Sequence, residues 1–321
     1  MLKVLRRRLI QLVPLLLAVI VMNFALIQAA PGSFLDIMTA EQQVTDPEMI
    51  ERLRRTYGMD DSPPVQLGKY ILAVMRLDLG FSYRQNAPVS EVILAHLPAT
   101  AILMLASIGI AVLLGMLAGV IAAVKVNTVW DSLVSVLAVF CFAAPSFWLG
   151  IMLTVLFSVK LGWLPVGGMQ TVAMEGGAWA HTIDVLRHLL LPALALGLFY
   201  AATYARVMRA SMLEVSRLDF VRTARAKGLG ALRVTIAHVL RNALLPIVTL
   251  LGLQLGTLLG GSVVIEAVFS WPGIGSLLFD SVSSRNFPVV LGVMLLSALL
   301  VAIANIAVDL IYMRLDPRIR L

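Results

Sequence analysis

Six stretches of this chain are too long and too apolar to pack as ordinary helices of a water-soluble domain. They lie near residues 9–29, 98–123, 132–158, 188–210, 242–265 and 287–313, and a helix needs about 20 residues to cross a hydrocarbon core of roughly 30 Å. Lipid offers no hydrogen-bond partners to the backbone, so such runs must be helical. Composition points the same way: 60% of the residues are hydrophobic, only 13% are charged, and the mean hydropathy is +0.93. The fold class is therefore all-α and polytopic, with six transmembrane helices. The first run follows Arg6-Arg7-Arg8 and precedes Ala29-Ala30, as a signal peptide would. Its apolar length exceeds the usual ~7–15 residues of a cleavable signal, so it reads as a retained anchor.

Charge then orients the spans. With the N-terminus inside, residues 1–8, Lys125, the segment 206–241 and the tail 314–321 carry 4, 1, 8 and 3 Lys/Arg. The outer segments carry the remaining nine, six of them in a long stretch, 30–97, that also holds nine acids. Basic residues concentrate on the cytoplasmic side, and long external segments tolerate charge, so both termini are expected in the cytoplasm. The pI of about 9.9 is accounted for by this sidedness, without nucleic acid as a partner. The eight basic residues of the third cytoplasmic-side segment are Arg206, Arg209, Arg217, Arg222, Arg225, Lys227, Arg233 and Arg241, against two acids, Glu214 and Asp219. Inserting eight such groups into lipid would cost about 20 kcal/mol or more, which keeps this segment in water.

The sequence divides accordingly into 1–29 (cytoplasmic N-terminus and first span), 30–97 (an extracytoplasmic insertion), 98–313 (five further spans, with the loop 206–241 between two of them) and a tail, 314–321. The insertion is patterned. Thr45-Asp46-Pro47-Glu48 places a capping residue before a proline at a helix start, with the helix ending at Tyr57-Gly58. Pro63-Pro64 starts a second helix through about Leu77, and Asp78-Leu79-Gly80 turns the chain back.

Catalytic chemistry is scarce. No G-x-x-x-x-G-K-[ST] motif occurs, since Tyr70 and Gly228 follow the two lysines that lie near a glycine. The histidines, His96, His181, His188 and His238, fall at span edges or in loops and do not form a metalloprotease-type pair, and the single cysteine, Cys141, lies inside a span. Within the spans the ionisable group is Asp309, near the inner boundary, with Asn23, Ser146, Gln254 and Asn305 as polar positions. A nucleophile with its base, a carboxylate pair or a charged proton path would need more than this, so no catalytic residue, resident metal or cofactor is assigned.

Glycine and proline say more. Gly252, Gly256, Gly260 and Gly261 form a smooth strip on the fifth span, and Gly115 and Gly119 repeat the four-residue spacing on the second. Both read as close helix-packing faces. Pro145 and Pro192 predict kinks in the third and fourth spans. In the basic loop, helix-compatible residues run from Ser211 to Lys227, broken by Gly228 and Gly230, which predicts a short helix lying across the membrane face. Phe220 and Ala224, four apart, are placed on one face that could enter a groove on a soluble partner, flanked by Arg222 and Arg225 for acidic contacts or anionic lipid.

Along nearly its whole length the chain resembles the B-type permease subunits of the dipeptide/oligopeptide group of ABC importers. The segments that carry the resemblance include Pro31-Gly32, Asp78-Leu-Gly-Phe-Ser82, Pro88-Val89, Leu97-Pro98-Ala-Thr100, Ala144-Pro145-Ser-Phe147 and Leu161-Gly-Trp-Leu-Pro165. Further on they are Leu191-Pro192, Arg222 to Gly228, Arg241-Asn-Ala243, Gly260-Gly-Ser262, Trp271-Pro-Gly-Ile-Gly275 and Asp316-Pro317. In that family the basic loop is the coupling element, generally E-A-A-x-x-x-G followed by an L-P. Here Ala224 and Gly228 fit, Arg222 and Thr223 replace the Glu and first Ala, and Leu240-Arg241 replaces Leu-Pro.

The resemblance implies a type I ABC importer permease fold in a bacterial inner membrane. It implies a second permease, two ABC ATPases that bind ATP and Mg, and an extracytoplasmic substrate-binding protein as partners, besides membrane lipid. It also implies that Phe220, Arg222, Thr223, Ala224, Arg225, Ala226, Lys227 and Gly228 meet the ATPase. Trp148, Gln254 and Asn305 are the residues assigned to a substrate path. Peptides are the expected cargo, with glutathione, nickel complexes, haem or oligosaccharides as alternatives within the group, and an ATPase-independent transporter or a membrane scaffold as alternatives outside it.

Overall fold

The computed structural model describes residues 2–29, 61–82, 84–173 and 175–315, so the helix expected to end at Tyr57 and the tail from 316 lie outside the described residues. Among the described residues five helices are long and apolar enough to cross a membrane, within Arg6–Leu26, Val89–Val124, Ala178–Val215, Ala231–Gly252 and Phe287–Ala307. Two further apolar helices, Val129–Ala143 and Ser146–Lys160, are bent by 104° where they meet and make a sixth span if the pair is counted as one.

That break departs from the single kinked helix that Pro145 predicted. Pro145 has no N–H to donate and excludes the helical conformation from the residue before it. Ala144 accordingly sits at φ −73°, ψ 132°, so α4 (Val129–Ala143) stops and α5 (Ser146–Thr154) starts afresh in a new direction. Pro192 behaves differently. It is buried inside α6 (Ala178–Val215), which runs helical on both sides of it and extends past both ends of the 188–210 stretch. Arg206 and Arg209, counted above as loop residues, therefore belong to α6.

The described residues pack as two compact units. One comprises residues up to Pro98 together with those from Gly273 onward. In it α1 (Leu2–Ala29) packs on α11 (Phe287–Leu315), and the fully buried Asn23 donates its amide to the Leu291 carbonyl at 3.2 Å. Helix α2 (Pro63–Met75) begins at Pro63 with a proline in its first turn, where a missing N–H costs nothing. The chain then turns through a two-stranded ribbon, β1 (Phe81–Ser82) and β2 (Ala87–Pro88), into the start of α3 (Val89–Val124). Asn286, just beyond α10 (Ile274–Ser283), holds this ribbon by donating to Ser82 Oγ at 2.8 Å and Gln85 Oε1 at 2.9 Å. Val89, Val92, Ile93, Ile274, Leu277, Val289 and Val293 make the core beneath.

The other unit, 99–272, contains the rest of α3, α4 to α6, α7 (Asp219–Ala226), α8 (Ala231–Val234) and α9 (Arg241–Val268), with π-helical turns at Val155–Lys160 and Thr235–Leu240. Here α3 and α6 touch backbone to backbone. A Cβ at Gly115 would stand 2.5 Å from the Tyr204 Cβ, and one at Gly119 would stand 2.6 Å from the Ala205 carbonyl oxygen. The four-residue glycine spacing on α3 is thus a packing face, as its sequence suggests. On α9, Gly252 is buried, while the surroundings of Gly256, Gly260 and Gly261 lie outside the described residues.

Candidate functional site

The basic segment folds into a helical hairpin cemented to the 99–272 unit. Helix α6 ends at Val215, and Arg217 and Leu218 close its last turn by donating to the Glu214 and Val215 carbonyls. The continuous helix expected from Ser211 to Lys227 is therefore interrupted at residues 216–218. Its second part, α7, is a separate eight-residue helix with Asp219 in its first turn and Arg225 in its last, the arrangement that suits the helix dipole.

The end of α7 is set by Gly228. Its φ of +78° is left-handed, its N–H donates to the Arg225 carbonyl at 2.9 Å, and the Leu229 N–H reaches back to the Ala224 carbonyl at 3.4 Å. These two bonds make a complete Schellman stop, with Leu229 half-buried beneath the turn. The chain then returns through α8 and the π-helical turn into α9.

The interruption at 216–218 resets which side of α7 faces inward. Val221 is fully buried and Ala224 is 5% exposed, one helical turn apart, and both join a cluster with Met208, Met212 and Val215 of α6 and Val234, Val239, Ala243 and Ile247 of the return arm. Ala224 therefore does not share an outward face with Phe220. Its role is to seat α7. The outward side consists of Phe220, which is 41% exposed, with Arg222, Thr223, Arg225, Ala226 and Lys227. Thr223 turns its hydroxyl onto the Asp219 carbonyl at 2.9 Å, and Arg222 stands 3.5 Å from the Asp219 carboxylate, an exposed pair of little energetic weight.

Two of the eight basic residues are engaged elsewhere. Arg206 lies 4.4 Å over the Phe142 ring, and Arg209 grips the carboxylate of Asp131 with two nitrogens at 2.6 and 2.8 Å. Of the residues assigned to a substrate path, Trp148 lies on α5, 40% exposed and edge-on to Phe140 across the 104° break. Gln254 is half-buried on α9, which packs against α5, and Asn305 is exposed on α11 in the other unit.

Sequence reasoning passed over Glu266. The expected span stopped one residue short of it, yet α9 continues to Val268 and Glu266 is fully buried. Thr100 donates its hydroxyl to Glu266 Oε1 at 2.9 Å, the Trp271 N–H donates to the Glu266 carbonyl at 2.8 Å, and the Trp271 indole N–H donates to the Ala99 carbonyl at 2.8 Å. Gly168 adds a bond to the Phe269 carbonyl at 2.7 Å, and a Cβ on Gly167 would collide with that same oxygen. Thr100 thus meets the Glu266 carboxylate, and Trp271 ties the Glu266 backbone carbonyl to that of Ala99. His188 shows a second buried polar arrangement. It is buried on α6, with Nδ1 2.9 Å from the Asp184 carbonyl, and the Asp184 carboxylate accepts both the N–H and the hydroxyl of Thr171.

Residues 115–321 match the family model described as the inner membrane component of binding-protein-dependent transport systems, and residues 1–104 match the model of its N-terminal region. The chain belongs to that family. Among curated family members it is 41% identical to the di/tripeptide transport system permease protein DppB of Pseudomonas aeruginosa, over 100% of this chain and 99% of that protein. It is 38% identical to the oligopeptide transport system permease protein AppB of Bacillus subtilis (98% of each) and to the dipeptide transport system permease protein DppB of Escherichia coli K12 (100% and 99%). Among solved structures, the fold is similar to that of the MetNI methionine ABC transporter, with TM-score 0.54, 18% identity, and 71% of this chain and 97% of that one covered. A chain of an amino acid ABC transporter with histidines matches at TM-score 0.52 and 15% identity, over 70% and 94%. The architecture is the type I ABC permease fold, and this family member is an inner-membrane, multi-pass transport component.

Proposed function

We propose that this chain is the permease subunit of an ATP-driven, binding-protein-dependent importer of di- or oligopeptides. It forms the path with a second, related permease and receives motion through α7 from ATPase subunits that hold the ATP and Mg. The observation that carries this reading is the construction of α7. Val221 and Ala224 root it in the core shared by α6 and α9, while Phe220, Arg222, Arg225 and Lys227 face outward. A force applied to that outer side is passed to two membrane helices rather than absorbed by a loose loop. Peptide as cargo rests on the near full-length similarity to permeases named for dipeptide, di/tripeptide and oligopeptide transport. The chain supplies path and leverage, both of its termini face the cytoplasm, and hydrolysis belongs to the partners.

The test is purification of the chain from its native membrane, followed by reconstitution with the binding protein. ATPase subunits co-purify at fixed stoichiometry, and labelled di- or tripeptide uptake requires ATP. Phe220→Asp, which puts a charge on the exposed hydrophobe of α7, lowers both ATPase retention and uptake at least about tenfold. Uptake without ATP, or full uptake by Phe220→Asp, would sink the reading.

A further inference from the structure

We propose that the Asp131–Arg209 ion pair is a positioning clamp that makes α4 move as one body with the α6–α7 hairpin. The inference rests on the coupling role of α7 proposed above and assigns residues to it that lie outside the basic loop. Asp131 stands in the first turn of α4, with its side chain only 8% exposed. Its carboxylate accepts Arg209 Nε–H at 2.6 Å and Nη2–H at 2.8 Å, and Asn127, at φ +61°, donates its backbone N–H at 3.0 Å. A planar two-point fork fixes rotation as well as distance, which a lysine ammonium cannot do.

At this end of α4 the Lys125 ammonium also lies 5.0 Å from the centre of the Trp130 ring. Among its fifteen residues only Asp131 and Ala138 are buried. Along α3, α4 and α6 runs an open apolar groove of ≈ 130 Å³, lined by Ala118, Val134, Ala138, Cys141, Ala201 and Ala205 among others. Helices resist sliding where side chains interdigitate, and along this groove they do not. The fork is the two-point charged contact that helps set the register of α4 against α6, beside Arg206 over the Phe142 ring and Phe142 stacked on Phe199.

On the other side of the pair, Arg209 follows Met208 and precedes Met212 and Val215, which share the cluster that seats Val221 and Ala224 of α7. From α7 the chain of contacts thus runs through the end of α6 and the fork to α4, and across the 104° break to α5 and Trp148. Displacement at the hairpin reaches the bent pair through Asp131.

The test uses the reconstituted complex in a Cys141→Ser background, with spin labels at Ser135→Cys on α4 and Arg233→Cys on α8, which packs against α7, both exposed positions. A narrow distance distribution is expected for the otherwise unchanged pair. Asp131→Asn broadens it, Arg209→Lys broadens it less, and the ATP hydrolysed per peptide imported rises about tenfold in Asp131→Asn, the scale of one lost interaction of ordinary strength. If Asp131→Asn does not assemble, Arg209→Lys carries the same measurement. Unchanged width together with an unchanged ATP-to-peptide ratio overturns the clamp, as does lowered thermal stability alone. Broadening in a complex whose unmutated form already imports peptide without ATP leaves the clamp standing and removes the coupling role of α7 instead.

Discussion

Gly228 is the residue whose job could be read most directly from sequence, because a left-handed stop after a helix favours glycine so strongly. The space around it changes what a substitution does. A Cβ there meets nothing within 4 Å, so Gly228→Ala costs only the backbone strain, about 1 kcal/mol, and is expected to lower the melting temperature of the complex slightly while transport persists. Gly228→Pro cannot adopt φ +78° and removes the N–H that Arg225 accepts, a loss of about 3 kcal/mol or more, and is expected to abolish uptake. Glu266 was illegible for the opposite reason. A hydropathy window ends where a charge begins, so a carboxylate at the boundary reads as exposed. Its environment predicts that Glu266→Ala, which removes the acceptor of the Thr100 hydroxyl and leaves a void, destabilises the detergent-solubilised protein by about 2–4 kcal/mol. Glu266→Gln, which keeps an acceptor, is expected to cost less than half of that in the same thermal melt.

At the scale of elements, glycine spacing was informative and helix phase was not. Gly115 and Gly119 announced a close crossing, and they lie where backbone meets backbone between α3 and α6. Enlarging either overpacks a contact that cannot yield, because the obstructing atoms at both include a carbonyl oxygen. Gly119→Val is therefore expected to cost about 1–3 kcal/mol or more and to reduce the folded yield in the membrane, measured by fluorescence-detected size exclusion. The phase of α7, by contrast, depends on where α6 stops. Nothing local in Ser211–Lys227 forces a stop at residues 216–218, so the sequence supports one continuous helix that turns Ala224 outward with Phe220. Three non-helical residues rotate that pattern and send Val221 and Ala224 inward. The sharp break at Pro145 was legible in position but not in angle. A proline fixes where a helix loses its ladder, whereas packing decides how far the two halves swing apart.

For the whole molecule, six apolar runs were enough to obtain the membrane-spanning class, since length and polarity are local properties. Pairings such as Asp131 with Arg209, 78 residues apart, leave no local trace. Their partners are identified only once α4 and α6 lie side by side. The length of α6 adds something that span counting hides. Thirty-eight residues rise about 57 Å at 1.5 Å each, well beyond a hydrocarbon core of about 30 Å. Asp184, which staples the loop at Thr171, and Arg209, which holds α4, are 25 residues apart on that one helix, a separation of about 37 Å. Helix α6 thus has the form of a push-rod with a fitting at each end, and on the coupling role proposed above a shift imposed at the Arg209 end would be carried along it toward Asp184. Its one soft joint is Pro192, where the ladder lacks a donor, and which lies nearer the Asp184 end of the rod.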